Sequence, residues 1–331
     1  MRSRNICAKT GPSVGAAVPR WTVVIPTWNG RDLVAEALEG LAAQTLKEHS
    51  VVVVDDASTD GTVRWLVMAH PTVRVVPLEV RGGLARAVNR GIAVASTPYI
   101  ALLNNDAVPD PGWLGALDSA FANHPEASLL ASRIRLYDRP SVLHAVGDTY
   151  GRNGVPGNRG VWMTDAKPFD EPCEVFGACG AASAYRRTLF DDIGVFDEDL
   201  GMYCEDVDLS WRALLAGHRC RYVPGATVRH RLSATGGGPF ASYLVARNQI
   251  LVAAMNIPGS IWGRMWWRFL VAQLRLSVEA VQNVRGSAAR ATLRGQAASL
   301  RKLRQALRKR RGRQGSRRVA DAWTWSRMAA T

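Results

Sequence analysis

From residue 21 onward, short apolar runs alternate with stretches of helical periodicity, and each apolar run ends in a polar, turn-forming cluster. Trp21–Pro26 (WTVVIP) is a β-branched run of the kind that forms a buried strand. TWNG at 27–30 has turn chemistry, and Arg31–Thr45 then places Leu33, Ala37, Leu38 and Leu41 on one helical face. Val51–Val54 reads as a second buried strand, closed by the polar loop DDASTDGT at 55–62, which opens a helix around Thr62–Met68. Val73–Pro77 predicts a third strand. Gly82 and Gly83 precede a helix from Leu84 to about Ala95, and Tyr99–Leu103 is a fourth strand running directly into NND.

Strand–helix–strand alternation at this spacing predicts an α/β fold with a mostly parallel central sheet and helices on both faces. Ligands bind such sheets beyond the carboxyl ends of the strands. TWNG, DDASTDG and NND all fall there, so they are expected to share one pocket.

The second half is less regular. Trp113–Asn123 predicts a helix, Val142–Gly160 is Gly- and Asn-rich and reads as a loop or hairpin, and Phe176–Tyr185 is a small-residue run that suits a strand or a tight backbone approach. Ile193–Leu200 is an acidic loop. Glu205–Ala216 predicts a helix stopped by Gly217. Cys220–Val223 is a short strand followed by ATVRHR, Gly236–Gly238 looks like a hinge, and Tyr243–Ala254 and Ile261–Val281 read as helices.

Charge changes the picture only at the C-terminus. Residues 259–318 hold 16 Lys/Arg against one acid, Glu279, a net +15, whereas the rest of the 331 residues is nearly neutral at −1. Trp262, Trp266, Phe269, Leu270, Leu274 and Val278 follow helical spacing, with Arg264, Arg268 and Arg275 on another face. An amphipathic helix with a polybasic run behind it fits an anchor at an anionic membrane surface. A packed helix with a solvated tail, or a nucleic-acid contact, is the plainer alternative. Specific nucleic-acid binding is not expected, because the body lacks matching basic residues. No run reaches the roughly 18 uninterrupted apolar residues of a spanning helix. The first 20 residues lack the apolar run of a signal peptide and are expected to be disordered. The five cysteines show no C-x-x-C or Cys/His ligand spacing, which argues against zinc and for reduced thiols in the cytoplasm.

Carboxylates carry the candidate chemistry. Asp106, ending a hydrophobic strand, can hold a divalent ion, or it can simply close the strand in an Asx turn. In CEDVDLSWR, Asp206 and Asp208 lie ~200° apart on a helix and cannot both face one cleft, whereas Glu205 and Asp206 are only ~100° apart. Helix-dipole stabilisation is enough to explain Asp208. Asp55, Asp56 and Asp60 can bind a nucleobase edge or ribose, or merely shape a turn. His230 can ligate a metal, contact phosphate or be structural.

These residues carry a resemblance. VVIPTWNG, VVVDDASTDGT, LLNNDAVP with GWL, GAASAYRRTLF, GVFDEDLGMYCEDVDLSWRALLAGHRCRYVPGATVRH and YLVARNQ together resemble the family-2 inverting glycosyltransferases of the GT-A fold, rhamnosyltransferase-like members above all, over about residues 21–250. The resemblance implies donor contacts from Pro26, Thr27, Asn29, Asp55, Asp56, Arg81 and Asn105. It implies a metal site at Asp106 and His230, Asp206 as catalytic base and Glu205 as its acceptor-side neighbour. Two departures stand out: the metal motif is NND rather than Asp-x-Asp, and Arg81 replaces a frequent Asn.

The expected organisation is an N-terminal segment (1–20), a GT-A domain (21–240, with a nucleotide-binding half at 21–110 and an acceptor half at 111–240) and a helical basic region (241–331). The expected function is transfer of a sugar, rhamnose being one candidate, from a nucleotide-sugar donor to a glycan or polyprenyl-linked acceptor in cell-surface polysaccharide synthesis. The enzyme would be assisted by Mg2+ or Mn2+ on the inner face of the plasma membrane. The alternatives are a nucleotidyltransferase of similar fold, disfavoured by the lack of a Gly-rich phosphate loop, and a non-catalytic sugar- or nucleic-acid-binding protein.

Overall fold

The computed structural model describes residues 19–232 and 237–330. The N-terminal expectation therefore lies outside the described residues, apart from Pro19 and Arg20, and so does Gly236 of the expected hinge. The first third follows the predicted alternation closely. In chain order it comprises β1 (Trp21–Thr27), α1 (Arg31–Ala42), β2 (His49–Asp55), α2 (Thr62–Ala69), β3 (Arg74–Pro77), α3 (Leu84–Val94) and β4 (Tyr99–Leu103). β3, β2, β1 and β4 are neighbours in that order, and all pair in parallel.

Strand alternation explains the layering, because successive side chains leave opposite faces of the sheet. Trp21, Val23, Ile25, Val53, Ala101 and Leu103 pack with Val34, Leu38 and Leu41 of α1 in one core. Val24, Val52, Val54, Ile100 and Leu102 pack with Ala85, Val88 and Ile92 of α3 in the core on the other face. α4 (Trp113–Asn123), which follows β5 (Ala107–Pro109), joins the first core through Trp113, Leu117 and Phe121.

The sheet then continues through strands that the apolar pattern announces only in part, since 220–223 reads as a strand and 176–185 as a strand or tight approach, whereas 127–136 carries no such signal. The chain forms β6 (Ala127–Leu136), β7 (Leu143–Ala145), β8 (Asp148–Tyr150), β9 (Pro156–Asn158), β10 (Glu174–Val175), β11 (Ala182–Arg186), α5 (Arg187–Ile193), α6 (Glu205–Ala216) and β12 (Arg219–His230). The full order is β10-β12-β6-β11-β4-β1-β2-β3, with β5 on β12, β7 on β6, and β8–β9 as a separate hairpin. β11 is antiparallel to both β4 and β6, and β12 runs parallel to β6. β12 is longer than the sequence suggests. Pro224–Gly225 does not end it, because a register shift between Val223 and Thr227 absorbs the interruption and carries the strand on to His230.

Four helices complete the chain: α7 (Gly238–Asn256), α8 (Gly259–Gln282), α9 (Ser287–Gly315) and α10 (Asp321–Arg327). The basic segment is therefore not a solvated tail. At Gly295 of α9, an added Cβ would lie 2.2 Å from the Tyr243 carbonyl oxygen of α7, so a side chain there would force the two backbones apart. A third core joins Trp211, Leu214 and Leu215 of α6 to Leu251, Val252 and Met255 of α7, Ile261, Met265 and Phe269 of α8, and Ala306 of α9. α8 has two apolar faces. Ile261, Met265 and Phe269 are buried, whereas Trp267 (50% exposed), Leu270 (55%), Leu274 (64%) and Val281 (58%) form an exposed stripe. α9 buries Ala291, Gly295, Ser299 and Ala306, and exposes Arg294, Arg301, Arg304, Arg308 and Arg311. Among the described residues, no helix is long and apolar enough to cross a membrane.

Candidate active site

A cleft of about 580 Å³ opens at the carboxyl ends of β1 and β4. Its walls include Pro26, Thr27, Asp56, Arg81, Asn105, Asp106, Glu205, Asp206 and His230, which places most of the sequence candidates around one cavity.

On the donor side, the side chain of Asn105 donates to Thr27 Oγ1 (3.0 Å), fixing the ends of β1 and β4 to each other. Asp56 accepts the backbone amides of Gly82 (2.7 Å) and Gly83 (2.9 Å), which ties the loop after β2 to the start of α3. The Arg81 guanidinium lies 3.4 Å from the centroid of the Trp28 ring, and both residues line the cleft. Two candidates are not brought in. Asn29 is exposed; its Oδ1 accepts the Thr59 amide and its own amide donates to Ser58, so it braces the 55–62 loop. Asp55 is buried below that loop, with Oδ1 accepting the Ser58 amide. Turn chemistry accounts for Asn29 and for Oδ1 of Asp55, whose Oδ2 has no partner among the described residues.

Strand pairing builds the second group. His230 ends β12 in register with Ala107 of β5, which sets its Nε2 3.0 Å from Asp106 Oδ1. Its Nδ1 lies 3.1 Å from Nδ1 of His144, and the two rings stack. Burial, reinforced by His230, pushes His144 down to about 3, so it is a neutral imidazole at physiological pH. Only one proton fits between two facing ring nitrogens. A neutral His144 donating to His230 would leave His230 to donate through Nε2 to Asp106. Asp106 and His230 also fit a divalent cation. An oxygen and a nitrogen donor 3.0 Å apart have the separation of adjacent ligands around an octahedral ion at about 2.1 Å.

The third group sits at the start of α6. Tyr203 (φ 66°) and Cys204 (φ 63°) both have left-handed backbone, a conformation that L residues adopt only under constraint. Asn248 of α7 supplies the constraint, its amide donating to the carbonyls of Leu200 (3.0 Å), Met202 (2.9 Å) and Tyr203 (2.7 Å). YLVARNQ thus braces the loop that leads into α6, a role its sequence alone does not disclose.

Asp206, the next residue but one, is partly buried, and its carboxylate accepts the amides of Gly180 (2.8 Å) and Val207 (2.8 Å). Gly180 permits this approach, because a Cβ there would stand 3.3 Å from Asp206 Oδ2. Burial raises the Asp206 pKa, against the pull of the two amides. Glu205 is buried, with Oε2 unpartnered among the described residues, and burial first, then the charge of Asp206, push it well above the usual carboxylate range. Asp208 points away, as its angular position requires. It is fully buried and bonds Arg212, Arg313 and Asn256. Burial alone would raise its pKa, but Arg313 and Arg212 outweigh it and hold Asp208 low.

Trp28, His144 and Asp148 also line this cleft and were not singled out from sequence. His144 and Asp148 come from the Gly- and Asn-rich 142–160 stretch. His144 meets its partner 86 residues away, a pairing that no local periodicity announces.

An α/β sheet whose strand ends open into a cleft holding a carboxylate–histidine pair and a raised-pKa aspartate has the ingredients of a group-transfer enzyme. The family profile "Glycosyl transferase family 2" matches residues 22–194. An N-acetylglucosaminyl-diphospho-decaprenol L-rhamnosyltransferase of Mycobacterium tuberculosis (strain CDC 1551 / Oshkosh) is 32% identical over 267 residues, spanning 73% of this chain and 86% of that protein. Two solved structures share the fold. One is Staphylococcus aureus TarS 1-349 (TM-score 0.54, 18% identity, 90% of each chain). The other is the mannosyltransferase PcManGT from Pyrobaculum calidifontis in complex with GDP-Man and Mn2+ (TM-score 0.53, 20% identity, 92% of this chain and 89% of that one). The chain belongs to glycosyltransferase family 2 and is a rhamnosyltransferase-like member of it. Membership sets aside the nucleotidyltransferase and binding-only alternatives.

Proposed function

We propose that this enzyme transfers L-rhamnose from a nucleoside-diphosphate donor to a hydroxyl of N-acetylglucosamine carried on a polyprenyl diphosphate, inverting the anomeric carbon. The observation that carries the reading is that one cleft holds Asp206 together with the Asp106–His230 pair and the Arg81–Trp28 platform. The identity of the sugar and acceptor rests on the 32% relative.

In this mechanism Asp206 accepts the proton of the acceptor hydroxyl. The freed oxygen forms a bond to the anomeric carbon while the bond from that carbon to the diphosphate oxygen breaks, and the nucleoside diphosphate leaves with the electron pair. Pro26, Thr27, Asp56 and Asn105 shape the nucleotide end of the cleft, and Arg81 on Trp28 offers a cation to the donor diphosphate. A divalent ion, Mg2+ or Mn2+, held by Asp106 and His230 would neutralise the departing diphosphate. Glu205 lies on the acceptor side of the base.

The same reading gives the C-terminal helices a task. The exposed apolar stripe of α8 and the arginine stripe of α9 suit an anionic bilayer on the cytoplasmic face of the plasma membrane, where a polyprenyl-linked acceptor lies.

The test is nucleoside diphosphate release from a panel of nucleotide sugars, with and without Mg2+ or Mn2+ and a short-chain polyprenyl diphospho-N-acetylglucosamine. Acceptor-stimulated release from one donor is expected. Uniform silence across the panel, in protein that binds a nucleotide sugar by calorimetry, would contradict the proposal. For the helices, L270E/L274E should lower sedimentation with phosphatidylglycerol vesicles, and unchanged sedimentation would rule out α8 as the contact.

A further inference from the structure

His144 has no part in the mechanism above, yet it touches a residue that has. It sits in β7, which pairs with β6 at Ile134 and Arg135, and β12 pairs with the same two residues of β6. A strand has two edges, so β7 and β12 take opposite edges of β6, and the two imidazoles meet over that strand with Nδ1 of His144 3.1 Å from Nδ1 of His230. The backbone beside each ring is pinned. The Leu143 amide donates to the Met163 carbonyl (2.9 Å), and the Leu143 carbonyl accepts from the Trp162 amide (2.9 Å). The His230 carbonyl accepts from the Tyr137 amide (2.9 Å), and the Arg231 amide donates to the Asp106 carbonyl (2.9 Å). Among the described residues, His230 is the one hydrogen-bond partner of the His144 ring.

A histidine that ligates a metal through one ring nitrogen needs a partner for the N–H on the other, and that partner sets the orientation of the ring. His230 faces Asp106 through Nε2 (3.0 Å), so Nε2 is the nitrogen available to an ion and Nδ1 is the one to be held. We propose that His144 is the positioning residue of the divalent-cation site, fixing the His230 ring with Nε2 toward Asp106 and accepting the Nδ1 proton of His230 when Nε2 serves as a ligand. The inference rests on the metal role assigned to Asp106 and His230 above, and adds a residue behind that pair.

A neutral imidazole carries one N–H and one bare nitrogen, so the same contact between the two rings works in both directions. In one state His144 donates from Nδ1 to His230, and His230 donates from Nε2 to Asp106. In the other, Nε2 of His230 is bare for the ion, His230 carries its proton on Nδ1 and donates it to His144, and His144 carries its own proton on Nε2. Each ring keeps one proton, so both stay neutral and none is gained or lost. A carbonyl, which only accepts, or a lysine ammonium, which only donates, could serve one state but not both.

The experiment titrates Mn2+ alone, with neither donor nor acceptor present, into wild type, Asp106→Asn, His144→Phe and His144→Asn. Bound ion is read as loss of the free Mn2+ signal in electron paramagnetic resonance, and Tm is measured beside it. Wild type should bind an ion whose affinity falls sharply in D106N, which locates it at the pair. H144F keeps a ring but offers no nitrogen, and its affinity should fall about 10–100-fold, the usual effect of losing such a partner. H144N sets an amide that can accept or donate near the place of Nδ1, and should return affinity to within about threefold of wild type. Wild-type affinity in H144F would overturn the assignment, and so would equal losses in H144F and H144N, the pattern of a residue that only packs. Binding unmoved by D106N, or no binding by wild type, would overturn it as well. Because no nucleotide sugar is present, each of these results leaves sugar transfer standing, and that reading falls only to silence in the donor panel.

Discussion

Asp206 and Asp208 are two residues apart on the first turn of α6, yet they serve opposite ends. Asp208 is sealed from solvent and faces two guanidiniums and an amide, so its charge is neutralised and its pKa held low. Asp206 meets backbone amides but no cation, beside two further carboxyls, and its pKa is raised. The contrast separates a charge that holds structure from a charge available for chemistry: the counterion, not the residue type, decides. It also ties the C-terminus to the active site. Arg313, near the end of α9, pairs with Asp208 and Asp197, and Lys309 pairs with Asp197 and Asp199. The basic helix therefore clamps the acidic loop that leads to Asp206.

Arg313→Ala should break the structural side of this contrast most severely. It leaves Asp208 buried with one cation fewer, and removing one partner of a buried pair costs about 3–5 kcal/mol. The variant should melt well below wild type by circular dichroism, and an unchanged Tm would show that α9 does not anchor α6. The pH dependence follows from the same pair. A folded-state pKa below the unfolded value gives stability that is present above about pH 4 and lost as pH falls through the lower folded value. Acid unfolding of wild type should steepen in that window, and Asp208→Asn should flatten it.

Asn248→Ala removes the three bonds that hold Leu200, Met202 and Tyr203. Positive-φ residues are of order 1–3 kcal/mol each in strain, so relaxation of Tyr203 and Cys204 should displace Asp206. The expected result is a kcat at least tenfold lower with a smaller Tm loss than Arg313→Ala causes. A fall in Tm with kcat intact would refute the brace. On the chemical side of the contrast, kcat/KM should rise with pH through an Asp206 pKa above the ordinary aspartate value, since the base must be ionised to act. An acid limb at or below the ordinary value would argue that burial does not tune it. The smallest effect is expected at Arg81→Ala, where a cation–π contact worth about 0.5–2 kcal/mol is lost. Donor KM should rise several-fold with acceptor KM unmoved.

The first third of the described chain was legible in the sequence because its signals are local. β1, β2 and β4 are apolar runs that end in their own ligand-side clusters, and their boundaries fall within about two residues of the pattern. The stretch from 111 to 240 was less so. In β6, serine and arginine interrupt the apolar run (ASLLASRIRL), although most of the strand is buried. β12 continues past a proline that normally ends a strand. Glu205 and Asp206, which line the cleft, stood out because three acids at a helix start are conspicuous. His144 and Asp148 line the cleft without a signal in sequence, because each lies beside partners far away in the chain. Asn29 and Asp55 show why such loops are hard to read, since residues that shape a loop look in sequence like residues that bind through it.

The measurement that bears most directly on the central claim is acceptor-dependent nucleoside diphosphate release by wild type and Asp206→Asn, with thermal melts of both. General-base catalysis contributes about 10²–10⁴-fold, so the account predicts a loss of that size in D206N, with donor affinity retained and Tm lowered only modestly, because the new side-chain NH2 would face one of the two backbone amides that Asp206 accepts. A D206N enzyme that melts like wild type and still turns over at a comparable rate would contradict it, and would move the base to another carboxyl of the cleft.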